Sequence, residues 1–131
     1  MSDTIRVLVV DDDESFRTNM TELLNKQESI RASCAESGDA ALEELTREPY
    51  DVVLLDMLMP GLSAHGTVRE MRKRNLGPAV IVVTGHASVD DAVEMINLGA
   101  YDYLLKPCTI KEIVQKVTWA QEWRKLQPPQ P

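Results

Sequence analysis

Apolar residues in this chain fall into short continuous runs separated by segments with helical spacing. Ile5 to Val10 reads as a strand, and Ile30 to Cys34 as a shorter one. DVVLLD, from Asp51 to Asp56, and AVIVVT, from Ala79 to Thr84, are rich in leucine and β-branched residues. Runs of that kind suit central strands of a parallel sheet covered on both faces. Tyr101 to Leu105 supplies a fifth short strand, and Gly99 before it is a natural helix stop.

Between these runs the period changes. Phe16, Met20, Leu23 and Leu24 recur at helical spacing, and Ser37 to Leu45 is rich in alanine and glutamate. Val89, Ala92, Val93 and Ile96 follow the i, i+3, i+4, i+7 pattern, and Ile110, Ile113, Val114 and Val117 repeat it. Strict alternation places a third helix after Asp56. The pattern predicts a (βα)5 α/β sandwich with five parallel strands and right-handed connections. The domain is expected over 1–124, with 125–131 as a Pro/Gln-rich tail or the start of a linker, because LQPPQP cannot continue a helix.

Length and composition narrow the picture. The chain has 131 residues, 44% of them apolar and 27% charged, which fits one domain with a real core. The net charge of -7 gives no basic footprint for nucleic acid, so no direct nucleic-acid contact is expected. The first ten residues, MSDTIRVLVV, lack the layout of a signal peptide, and no apolar run has membrane-spanning length. A cytoplasmic location without membrane contact is expected. Cys34 and Cys108 have no metal-ligand spacing and are expected to be buried or half-buried thiols.

The polar residues of interest sit where the apolar runs stop. VVDDDESF, residues 9–16, passes from strand into four consecutive acids, Asp11, Asp12, Asp13 and Glu14. Asp56 ends the third strand, Thr84 the fourth, and Lys106 follows the fifth, just before Pro107. In open parallel sheets, sites form beyond the carboxyl ends of the strands. Taken singly, each of these residues has an ordinary explanation as a helix N-terminus, a turn former or a surface charge. Landing together on one rim, they point to a site. Clustered carboxylates repel, and a proton or cation must relieve them. An all-oxygen set suits Mg²⁺ and argues against zinc. Asp56 is then placed to attack a phosphoryl group, with Lys106 and the Thr84 hydroxyl facing its oxygens.

Four segments in order, VLVVDDD (7–13), DVVLLDMLMPG (51–61), VIVVTGHA (80–87) and GAYDYLLKP (99–107), resemble the receiver domain of two-component response regulators, the CheY-like family. The likeness runs from about Ile5 to Trp119. A weaker likeness, in 85–107, is to the receivers of ATPase-type transcription activators. The resemblance implies a flavodoxin-like fold. It makes Asp56 the phosphoacceptor, Asp12 a direct metal ligand, Asp11 the holder of a metal-bound water, and Leu58 a ligand through its backbone carbonyl. It implies Mg²⁺, with Mn²⁺ as a substitute. Lys106 would pair with the acceptor and then with a phosphoryl oxygen. Thr84 and Tyr103 would be the switch pair that remodels the face made by the fourth helix, fifth strand and fifth helix, and a cis peptide is expected between Lys106 and Pro107.

The partners so implied are a sensor histidine kinase or a histidine phosphotransfer protein, an output domain or target protein, and a second copy of the chain on phosphorylation. Such a receiver would assist its own phosphotransfer and slow dephosphorylation without being a conventional enzyme. Two positions tune the phosphoryl lifetime in this family. Here they are Leu58, which cannot orient water, and His86. Slow self-dephosphorylation, over minutes to hours, is expected. The family's usual glycine four residues after Pro60 is Ala64 here, which predicts a local change at the start of the third helix. Met57 and Met59 are expected to pack, His65 and His86 to be surface residues, and Trp119 and Trp123 to form either an exposed pair or ordinary core. Two alternatives remain at this point. One is a degenerate receiver that only binds protein. The other is a Mg-dependent phosphohydrolase with an aspartyl nucleophile, against which Leu58 counts, because such enzymes need a second aspartate there.

Overall fold

The computed structural model describes residues 4–86 and 88–127. Five strands and five helices alternate: β1 (Ile5–Val10), α1 (Glu14–Asn25), β2 (Ile30–Ala35), α2 (Gly38–Arg47), β3 (Val52–Leu55), α3 (Ala64–Lys73), β4 (Ala79–Thr84), α4 (Val89–Asn97), β5 (Asp102–Leu105) and α5 (Ile110–Lys125). All pairings are parallel, in the order β2-β1-β3-β4-β5. The expected (βα)5 sandwich is the observed one.

Alternation along the strands divides the core into two layers. Val7 and Val9 of β1, Val52 and Leu54 of β3, and Ile81 and Val83 of β4 face α1 and α5, where Met20, Leu24, Ile113, Val117 and Ala120 cover them. Leu8, Val10, Val53, Leu55, Val80 and Val82 face the other way, against Leu42, Leu45, Val68, Met71 and Met95. This explains the unbroken apolar runs, since both faces of the central strands are buried. Met57 is buried and Met59 half-buried against the same layer.

Chain punctuation follows local chemistry. Asp13, Ser37, Ser63, Ser88 and Thr109 cap the five helices, and Thr109 with Glu112 makes a full capping box. Gly99 has φ 109° just beyond α4, the left-handed stop expected of it. Helix α5 runs to Lys125, and of the proposed tail 128–131 lies outside the described residues. At the amino-terminal rim, Arg124 reaches back from α5 to Asp51 Oδ1 (2.9 Å) and the Gly77 carbonyl (3.0 Å). Asp51 Oδ2 in turn accepts from the Arg6 amide at 2.8 Å. No helix among the described residues is long and apolar enough to cross a membrane.

Two expectations need correction, and the alternatives left open at Ala64 and at the tryptophan pair can be settled. Cys34 is exposed, because β2 is an edge strand and this position faces outward; Cys108 is half-buried as expected. His65 is half-buried rather than a surface residue: its side chain is 19% exposed and meets Asp91 and Glu94 of α4. Ala64 is fully buried at the first helical position, and Asn75 is the non-glycine with positive φ among the described residues, so alanine causes no strain there. Trp119 and Trp123 are 49% and 38% exposed, and Trp123 also packs against Tyr101 with the rings tilted by 49° and their centroids 5.2 Å apart, so both readings of the pair hold in part.

Candidate functional site at the carboxyl rim

The four acids after β1 separate into distinct jobs. Asp11 continues the β1 ladder by donating its amide to the Ala35 carbonyl, and its side chain is buried. Asp12 is exposed. Asp13 caps α1, accepting from the amides of Ser15 (3.0 Å) and Phe16 (3.3 Å). Glu14 occupies the first turn, where the helix dipole favours negative charge. Crowding is therefore relieved by one cap, one helix start and one buried ion pair.

Asp56 follows β3 directly and donates its amide to the Val10 carbonyl at 3.0 Å, which sets it beside Asp11. Carboxylate oxygens of Asp11, Asp12 and Asp56 lie within 4.8 Å of one another. Asp56 is 7% exposed, and Thr84, the last residue of β4, is buried beside it. Burial, and then the negative charge of Asp11, push the Asp56 carboxyl above the ordinary aspartate range. Lys106, the Thr84 hydroxyl and the Met57 backbone oppose that push.

The Lys106 amide donates to the Thr84 carbonyl at 2.8 Å, so β5 delivers its side chain to the same rim. Its Nζ is 2.7 Å from Asp11 Oδ2 and 4.0 Å from Asp56 Oδ1, and 4.0 Å above the centre of the Phe16 ring. The expected pairing with the acceptor is thus secondary here: the nearer acid is Asp11. The Lys106–Pro107 peptide is cis. These residues, with Leu58, Gly85 and His86, line an open pocket of about 290 Å³. Leu58 is 60% exposed at its edge.

A second polar line leaves this rim. The Thr84 hydroxyl oxygen accepts from the His86 amide at 3.2 Å. Tyr103, half-buried on β5, donates its hydroxyl to the His86 carbonyl at 3.0 Å. Thr84 and Tyr103 therefore meet at one residue of the loop between β4 and α4.

The donor set passes a chemical test for a hard divalent cation. Three carboxylates converge, all ligand atoms are oxygen, and a single ammonium within 4.0 Å leaves the group net negative.

A family model described as the response regulator receiver domain matches residues 7–118. The chain belongs to this family. Among curated relatives of this receiver, the sensory transduction protein RegX3 of Mycobacterium bovis is 39% identical over 111 residues, covering 85% of this chain and 48% of that protein. The regulatory protein AtoC of Escherichia coli is 34% identical over 123 residues, covering 92% of this chain and 26% of that protein. The receiver thus spans about half the length of the one and about a quarter of the other. A solved response regulator receiver domain protein from Clostridium thermocellum matches with a TM-score of 0.85 at 33% identity, over 93% of this chain and 98% of that one.

Asp11, Asp12, Asp56, Leu58, Thr84, His86 and Lys106 of the pocket lining were legible in the sequence, whereas two contacts were not. Phe16, read as a core position, supplies the ring under Lys106. His65 and His86, read as isolated surface residues, converge on acids of α4.

Proposed function

We propose that this receiver is a phosphorylation-controlled signalling switch with Asp56 as phosphoacceptor. The carrying observation is the convergence of Asp11, Asp12, Asp56, Thr84 and Lys106 on one pocket at the carboxyl ends of β1, β3, β4 and β5. A carboxylate oxygen of Asp56 attacks the phosphorus of a phosphohistidine on a sensor kinase or phosphotransfer protein. An O–P bond forms, the N–P bond breaks, and the imidazole leaves with its electron pair and takes a proton from solvent. Asp11, Asp12, Asp56 and the Leu58 carbonyl would hold Mg²⁺. When bound, the ion neutralises phosphoryl oxygens.

Lys106 is anchored by Asp11, which keeps its ammonium at the mouth of the pocket. Thr84 offers a buried hydroxyl to a phosphoryl oxygen. Its movement loosens the His86 amide contact, and Tyr103 follows through the His86 carbonyl. The face of α4, β5 and α5 changes in consequence, shifting a population between two surfaces read by an output domain, a target protein or a second copy. The domain proper is residues 1–124, and it works in the cytoplasm.

Intact mass after incubation with Mg²⁺ and a small acyl phosphate tests this reading, with Asp56→Asn beside it. The native chain should gain one phosphoryl group and the variant none. A native chain that stays unmodified both with the small donor and with phosphorylated kinases would favour a binding-only receiver instead.

A further inference from the structure

Helix α4 is held more lightly than the others. Met95 is its one buried residue, while Val89, Val93 and Ile96 are exposed. Its polar face carries Asp91 and Glu94, one turn apart, and these meet His65 from the first turn of α3. His65 Nε2 lies 2.8 Å from Glu94 Oε2 and 4.0 Å from Asp91 Oδ1. On the far side, His86 Nε2 is 3.4 Å from Asp91 Oδ2.

Nε2 of His65 is a buried atom that forms no hydrogen bond, despite the oxygen 2.8 Å away. A cation shared by the nitrogen and the two carboxylates accounts for the arrangement. With tetrahedral ligand bonds of about 2.0–2.2 Å, ligand atoms stand about 3.3–3.6 Å apart. The separations from Nε2 to Glu94 and Asp91, 2.8 Å and 4.0 Å, lie on either side of that edge. One imidazole and two carboxylates form a mixed nitrogen–oxygen set, suited to a borderline divalent ion rather than to the hard ion of the carboxyl-rim pocket.

The geometry points to a second metal site, built from His65, Asp91 and Glu94, that binds a divalent transition-metal ion of the zinc class and pins α4 to α3. His86 positions it by holding the outer oxygen of Asp91, as partners of ligating carboxylates do. The site sits outside the acidic pocket and shares no ligand with it. Because His86 also meets Thr84 and Tyr103, zinc here would bear on the loop that links the pocket to α4.

The test is calorimetric titration of the full chain with Zn²⁺ under saturating Mg²⁺, with amide exchange followed in parallel. One zinc should bind at micromolar concentration, and exchange across 89–97 should slow. His65→Gln and Glu94→Gln should each weaken binding at least about tenfold, while Asp12→Asn should leave it unchanged. Glu94 is 60% exposed, so its variant tests the site without risk to the fold. Absence of zinc binding, binding that survives both helix variants, or binding lost with Asp12→Asn would each overturn the site. Zinc binding without slowed exchange would overturn the pinning.

Discussion

Lys106 Nζ is closer to Asp11 than to Asp56, at 2.7 Å against 4.0 Å. The lysine therefore serves first as counter-ion to the buried Asp11 rather than to Asp56. Removing one partner of a buried pair costs about 3–5 kcal/mol. Lys106 is 22% exposed, which puts Lys106→Met at or below the lower end of that range. Urea denaturation in chelator should show the loss. Added Mg²⁺ should restore more stability to the variant than it adds to the native chain. Equal gains in both would contradict this account of the charge balance.

Asp56 gives a pH prediction of definite sign. Its carboxyl is raised above the ordinary aspartate range by burial and by Asp11. A group raised on folding contributes stability below its unfolded pKa and loses it as pH rises through the folded value. At neutral pH the ionised side chain therefore works against the fold. Asp56→Asn should melt a few degrees higher than the native chain at neutral pH in chelator. The gap should close as pH falls below the usual aspartate range. A variant that melts lower at neutral pH would refute the sign.

Leu58 stands at the pocket edge with an apolar side chain that cannot hold an attacking water. The phosphorylated chain should therefore persist for minutes to hours, measured as decay of the phosphorylated mass. Leu58→Asn, which places an amide there, should shorten the lifetime several-fold. A native half-life of seconds would make His86, also in the pocket lining, the better candidate for orienting water.

Ala64 is buried and helical, so restoring the family's glycine should help nothing. Ala64→Gly should cost roughly 0.5–1 kcal/mol in chemical denaturation, from the added backbone freedom of the unfolded chain. Labelling of Asp56 should be unchanged.

The fold was legible because its information is local and repeated. DVVLLD and AVIVVT can be buried on both faces, and α4 and α5 show their period within a few residues. The pocket was legible because polar residues are scarce inside the strands and collect at their carboxyl ends, which strand order brings together. What could not be read were contacts between groups far apart in sequence. Lys106 chooses between Asp11 and Asp56 by an ångström of placement, which no pattern records. His65 and Glu94 sit on different helices and meet only in the folded chain. Cys34 looked like part of an apolar strand, yet edge position decided its exposure.

Arg124 makes a contrasting prediction at the other rim. Its contacts to Asp51 and Gly77 tie the end of α5 to the starts of β3 and β4. Arg124→Ala should cost about 1–3 kcal/mol in denaturation, since it leaves a half-buried acid and a carbonyl without their charged donor. Phosphoryl uptake by Asp56 should proceed at the native rate.

That tie sets a structural rim of the molecule opposite its pocket rim. Like a book bound along its spine, the sheet is clasped where Arg124 crosses it, and the residues that face a partner stand at the opposite edge, with Asp56 and Thr84. Mutations can retune what the open edge recognises while the binding stays whole. Evolution could thereby fit one receiver to many partners without rebuilding it.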